Sequence, residues 1–265
     1  MKSDGTRPTG TVFFITGGDI RAKAREWQFV GVKARLAKSG VGAVVTNVPP
    51  AGRDGILGIL AGSADVVPAQ YGAYLPGSIC DHLTSYAAVF DSGYQTKLTA
   101  WIEAGATVSA GTITEPTSRW TKFPSAWVYA HYANGCTAIE SMYQAVSCPL
   151  QLLIVGEPLA CPWAPEAAMT LSGLEKEEVS GVIRVSAEVR TTSERMFTRH
   201  VFLLDGRTIP GAAGVKAKQE KEGNTIEIDT TTIPAGRHTI RAVAYGAGSV
   251  RAQVFAEREI KVGRR

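Results

Sequence analysis

The sequence contains no run of about 18 uninterrupted apolar residues, so no transmembrane helix is expected. Its four cysteines, Cys80, Cys136, Cys148 and Cys161, include no pair spaced by two residues, which argues against a finger-type zinc site. Its four histidines, His82, His131, His200 and His238, show no metal-ligand spacing, so neither a metal nor another cofactor is expected. The fingerprint G-x-G-x-x-G is missing. The TGGD turn at 16–19 follows a strand and opens a helix, but Asp19 places its own negative charge where a phosphate would sit. Charge of one sign is not in excess: 28 Lys and Arg stand against 24 Asp and Glu. Without a basic stripe interleaved with aromatics, a nucleic-acid partner is not expected. The opening residues MKSDGTRPTG lack the apolar core of a secretory signal.

What is present is a chain of 265 residues, 45% hydrophobic and 20% charged, long enough for two domains and too apolar for a disordered chain. The cysteines lie in or beside apolar segments and read as buried free thiols, with a Cys148–Cys161 disulfide left open for an exported protein. A strand begins almost at once, at TVFFIT (11–16). This abrupt start leads us to expect the later part of a longer exported precursor, at the periplasm or cell surface.

Asp19 reads as an N-cap, followed by Ile20, Ala24, Trp27, Val30 and Ala34 at helical spacing. Arg21, Lys23, Arg25, Lys33, Arg35 and Lys38 then form the wet face of one amphipathic helix. Strand-length Val41 to Thr46 completes a βαβ unit with a right-handed crossover. Residues 52–62 read as a short helix, 78–86 as a strand entering a loop, 96–104 as a helix and 106–112 as a small-residue strand. Helices over 124–133 and 138–146 and a last strand over 151–156 complete the series. Alternation of this kind defines an α/β fold, a mostly parallel sheet flanked by helices.

Near residue 165 the pattern changes. Ile183, Val185, Ala187 and Val189 alternate with polar residues, as do Ile240, Ala242 and Ala244. Such strands point to an all-β, immunoglobulin-like sandwich. The expected division is an α/β domain over 1–163, a linker over 164–178 and the sandwich over 179–265.

The densest polar cluster is Ser78 to Ser85, at the end of a parallel strand where ligand sites of such sheets lie. On a strand Cys80 and His82 could share one face and serve as nucleophile and base. The simpler role is a histidine and hydroxyls that fix a loop. Glu115, in TITEP, could face His82 for acid–base work or hold two loops together. Glu157, in GEPL, repeats the strand–carboxylate–Pro pattern, so three strand ends could share one polar crevice. Catalysis there would fall to Cys80, His82 and Glu115, and binding to Asp81, Ser85, Thr114 and Glu157. Polymer binding by the sandwich would need exposed rings among Phe197, Phe202, Tyr245 and Phe255.

The series LPGSICDHLTSY (75–86), QTKLTAWIEAGATVSAGTITEP (95–116), KFP (122–124), HYANGCTAIESMYQAV (131–146) and QLLIVGEPLACPW (151–163) resembles a largely uncharacterised bacterial family of exported proteins. That family in turn resembles the caspase-like domain of gingipain-type cysteine peptidases. FLLDGRTI (202–209) and IPAGRHTIRAVAYG (233–246) are similar to immunoglobulin-like modules appended to exported proteins. The resemblance implies a caspase-like fold followed by such a module. It does not carry catalysis across: the peptidases use a His-Gly motif upstream of their Cys, and AGSADVVPAQYG (61–72) has no histidine. The expectation is therefore a non-catalytic recognition or assembly protein at the cell envelope, with a protein or envelope polymer as partner. A thiol hydrolase centred on Cys80 and His82 is the alternative.

Overall fold

The computed structural model describes residues 3–176, 178–191, 197–209, 214–219, 223–247 and 252–263. They form two compact units, Met1–Ala164 and Pro165–Arg265.

The first unit is built on six strands, β1 (Thr11–Ile15), β2 (Gly42–Thr46), β3 (Arg53–Gly62), β4 (Gly72–Leu83), β5 (Val108–Thr112) and β6 (Leu152–Gly156). Their order is β2-β1-β3-β4-β5-β6. All neighbours are parallel except β5 and β6, which pair antiparallel from Val108↔Gly156 to Thr112↔Leu152. The expected α/β layer is thus a parallel-containing sheet with helices.

Both faces of this sheet are covered. On one side Val12, Phe14 and Ile79 pack with Phe29, Val32 and Leu36 of α2 (Phe29–Lys38). On the other, Ile15, Ile59 and Cys80 pack with Trp101 of α3 (Thr99–Glu103). The helix expected over 52–62 is strand β3, and double coverage is the reason. A strand buried on both faces loses its period-two signal and shows only a continuous apolar run. Residues 56–61 are all buried or closely packed in β3. Gly58 is required by a close approach: a Cβ there would lie 2.3 Å from a ring carbon of Tyr129. The Tyr129 hydroxyl donates to the Ile79 carbonyl at 2.8 Å.

The expected single helix over 19–38 is two, α1 (Ile20–Glu26) and α2, with Trp27 and Gln28 between them. Asp19 caps α1 as expected, accepting from the Arg21 N–H at 2.8 Å. The buried stripe is not the expected one. Ala22, Arg25, Phe29, Val32 and Leu36 face the sheet, while Ile20, Trp27 and Val30 are exposed. Two apolar stripes share these helices, and periodicity alone cannot say which is inward. The later helices are α4 (Val128–Ala133) and α5 (Ala138–Ala145), the second opened by a Thr137/Glu140 capping box.

Ahead of β1, the arm Ser3–Arg7 lies along residues 161–162. Gly5 N–H donates to the Cys161 carbonyl at 3.1 Å and Arg7 N–H to the Pro162 carbonyl at 3.0 Å. In return Asp4 Oδ1 accepts from Cys161 N–H at 2.9 Å.

Among its described residues the second unit has nine strands: β7 (Ala167–Ser172), β8 (Glu178–Val179), β9 (Val182–Thr191), β10 (Phe197–Leu204), β11 (Arg207–Ile209), β12 (Lys216–Gln219), β13 (Thr225–Asp229), β14 (Gly236–Gly246) and β15 (Gln253–Val262). They form sheets β11-β10-β14-β15-β8 and β12-β13-β9-β7, antiparallel except for the short β15–β8 pair. One apolar core joins Val185 and Ile226 of one sheet to Phe202, Ile240 and Ala242 of the other. The alternation read over 183–189 and 240–244 is the inward–outward pattern of these faces. Asp205-Gly206, both at positive φ, form the β10–β11 hairpin turn. The linker expected over 164–178 is a correction. β7 pairs with β9 from Ala167↔Thr191, and Met169 and Leu174 are buried in this core. Its charged run LEKEE gave it a linker composition that concealed the strand.

Candidate functional site

Strand β4 carries Cys80, Asp81 and His82 in succession, and alternate residues face opposite sides of the sheet. Asp81 points toward α1. There it meets Arg25 in a two-pronged pair, Nη1 to Oδ2 at 3.1 Å and Nη2 to Oδ1 at 3.0 Å. Each side chain is 1% exposed. The same guanidinium donates to the Pro124 carbonyl at 3.0 Å and the Ala61 carbonyl at 2.6 Å. Burial raises the Asp81 carboxyl and Arg25 opposes that rise. Arg25 thus belongs to the core, not to the wet helix face where its charge had placed it. Four acceptors satisfy it, which makes the burial of the charge tolerable. Beside it, Gln28 Oε1 accepts from Ala126 N–H at 2.7 Å, tying the α1–α2 joint to the segment before α4.

His82 and Cys80 share the opposite face, as expected, and that face is closed by α3. The Trp101 indole donates to His82 Nδ1 at 2.9 Å, and His82 Nε2 lies 3.1 Å from the Thr96 carbonyl. An indole can only donate and a carbonyl can only accept, so the ring is neutral with its proton on Nε2. Burial pushes its pKa down to about 4. Cys80 is fully buried, and burial pushes its thiol up. An attacking thiolate needs an exposed, electropositive setting, and Cys80 has neither exposure nor a lowered pKa.

The loop after β4 is held by its own polar groups. Gln95 Oε1 accepts from the Thr84 hydroxyl at 2.6 Å and from Tyr86 N–H at 2.9 Å. Thr112 donates to the Ser85 carbonyl at 3.0 Å, and Lys97 Nζ to the Tyr86 carbonyl at 2.9 Å. Ser85 is half-buried at this loop.

Glu115 is exposed, and its Oε1 accepts from Thr117 N–H at 2.7 Å. Glu157 is exposed too, and its Oε1 accepts from Leu159 N–H at 2.9 Å. Both Glu-Pro pairs therefore build the same local turn, the carboxylate capping the amide two residues on. Thr114 is exposed and its hydroxyl is bonded by the Gln151 side chain. The expected three-ended crevice is a correction. Because β6 runs antiparallel, Glu157 lies beside Thr107 at the start of β5, donating its N–H to that carbonyl at 3.0 Å. Glu115 lies beyond the other end of β5, roughly 15 Å away at the ordinary strand rise.

The structure thus brings together Arg25 with Asp81 and His82 with Trp101. It leaves Glu115, Thr114 and Glu157 on outer turns. The partners missed by sequence reasoning were Arg25, Trp101 and Gln95. Their only signal was chemical: a buried strand carrying Asp and His must find a counter-charge and a hydrogen-bond donor. His131 is half-buried on α4 and His200 buried on β10. Among the described residues no group of three His, Cys, Asp or Glu is placed to hold a metal ion.

No family model matches the sequence, and no curated protein matches it. Among solved structures the chain is similar to an endo-beta-1,4-mannanase from Thermotoga petrophila, with 21% identity, a TM-score of 0.28, and coverage of 38% of this chain and 20% of that one. It is also similar to the fibronectin(III)-like modules of Clostridium thermocellum CbhA, with 17% identity, a TM-score of 0.27, and coverage of 42% and 54%. A cohesin module of a Clostridium perfringens family 33 glycoside hydrolase gives 10% identity, a TM-score of 0.23, and coverage of 38% and 99%. The chain spans about a fifth of the mannanase and about half of the CbhA structure. Similarities of this size assign no activity.

Proposed function

We propose that the protein is a non-catalytic recognition or assembly protein of the cell envelope, a caspase-like α/β domain carrying an immunoglobulin-like module. The observation that supports this reading is the closure of the β4 cluster. The candidate acid and base there are buried and already bonded to the fold, Asp81 to Arg25 and His82 to Trp101 and Thr96, and the Cys80 thiol is buried. A two-sheet unit with solvated outer faces is suited to presenting a surface. The test is a hydrolysis screen of the purified chain against peptide and ester substrates, with Cys80→Ala as control. No activity sensitive to that substitution is expected. A hydrolytic activity lost with Cys80→Ala overturns the proposal in favour of a thiol hydrolase.

An envelope polymer is the second reading for the partner. Phe255 is exposed on β15 and Tyr245 lies diagonally beside it on β14, whereas Phe202 is core. Arg241 covers the Phe255 ring at 5.0 Å and Arg199 the Tyr245 ring at 5.6 Å. Loss of glycan binding in Phe255→Ala tests it.

A further inference from the structure

Helices α1 and α2 turn toward solvent a face of Ile20, Trp27 and Val30, exposed by 66%, 64% and 73%. Beside it two more indoles gather. Trp120 meets Trp27 edge-on with ring centroids 5.5 Å apart. Trp127 is 42% exposed and follows Ala126, the residue bonded to Gln28 at the joint of the two helices. Monomer surfaces carry scattered apolar residues, but clustered exposed indoles mark a contact surface.

The charges around this face are unequal. The acids of α1, α2 and the N-cap are Asp19 and Glu26, and each is engaged, with Arg21 and Lys23 respectively. Lys33, Lys38, Arg119 and Lys122 have no acidic partner among the described residues. The surface therefore complements a negative one. Protein interfaces are depleted in lysine. Tryptophan with short aliphatics on an outward helical face, flanked by Lys and Arg, is instead the composition of elements that rest in a headgroup layer.

We infer that the outer face of α1 and α2, together with Trp120 and Trp127, docks reversibly on an anionic lipid bilayer. The indoles and Val30 enter the headgroup boundary, and the unpaired lysines and arginine meet the lipid phosphates. The contact is peripheral, since no helix among the described residues is long and apolar enough to cross a membrane. It stands on the first unit alone and does not depend on whether the β4 cluster is catalytic.

The test is co-sedimentation of the full chain with vesicles of phosphatidylcholine alone and with phosphatidylserine added, read together with indole fluorescence. Binding and a blue shift are expected only with phosphatidylserine, weakening as salt is raised. Trp27→Ser combined with Val30→Ser is expected to weaken binding about tenfold, through lost apolar insertion. Lys33→Glu combined with Lys122→Glu tests the charge separately and is expected to remove the preference for phosphatidylserine. Trp27, Val30 and Lys33 are exposed and Lys122 is half-buried, and circular dichroism verifies that the variants fold. No binding, equal binding to neutral vesicles, or binding unaffected by both variants overturns the inference. So does a chain that is dimeric in solution and made monomeric by Trp27→Ser with Val30→Ser, which would make the face a contact between copies.

Discussion

The indole N–H of Trp101 donates to Nδ1 of His82, 2.9 Å away, inside a fully buried layer between α3 and the sheet. This one bond fixes the charge of the histidine. Protonating Nδ1 would set two donors against each other and place a charge where no water reaches.

Stability is therefore expected to fall in mild acid. His82 has a folded pKa of about 4, below its ordinary value of 6.5. A depressed histidine contributes its full stability above the unfolded pKa. That contribution is lost as pH falls from about 6.5 toward 4, because the unfolded chain takes up the proton first. The size is on the order of 3 kcal/mol. Urea unfolding at stepped pH measures it, and in His82→Gln this part of the slope should vanish.

Removing one member of the Arg25–Asp81 pair leaves the other charged and buried. Arg25→Met or Asp81→Leu alone is expected to cost about 3–5 kcal/mol. The double variant should recover much of that loss, and a double-mutant cycle by chemical denaturation gives the coupling.

Thiol chemistry should be selective. Cys80, Cys136 and Cys161 are buried and Cys148 is half-buried. A thiol-reactive chromophore added to native protein is expected to label Cys148 first, and the other three only on unfolding. Fast labelling of Cys80 would contradict its burial.

His238 behaves oppositely to His82. Its Nδ1 faces Asp205 Oδ2 at 2.7 Å and its Nε2 faces the Pro234 carbonyl at 2.8 Å. Both partners are acceptors, so the ring is best satisfied as the cation. Burial works against the charge, but these bonds outweigh it and the pKa is raised. Asp205 is lowered in turn, mainly by its bond from His238. The histidine's contribution is full below about pH 6.5 and is lost as pH rises through the raised folded value. Nuclear magnetic resonance titration should place His238 above 6.5, and Asp205→Asn should bring it down.

The strands of the second unit were legible because one face is wet: Arg184 and Glu188 flank buried Val185 and Ala187 and leave a period of two. β3 was not legible, since burial on both faces removes that contrast. The direction of β6 was hidden as well. A five-residue apolar strand looks the same in either sense, and the sense decides that Glu157 and Glu115 stand at opposite ends of the sheet. Arg25 was missed because local pattern counts charge as exposure. Its partner Asp81 lies 56 residues away, beyond the reach of any local window.

The arm at Ser3–Arg7 sets an order on how the chain is made. Its partner segment, around Cys161, is 157 residues further along. During synthesis this arm must wait, without these partners, until almost the whole α/β unit has followed it. The α/β unit therefore closes at its last residues, and a chain halted before residue 161 would leave the arm at 3–7 without its partners.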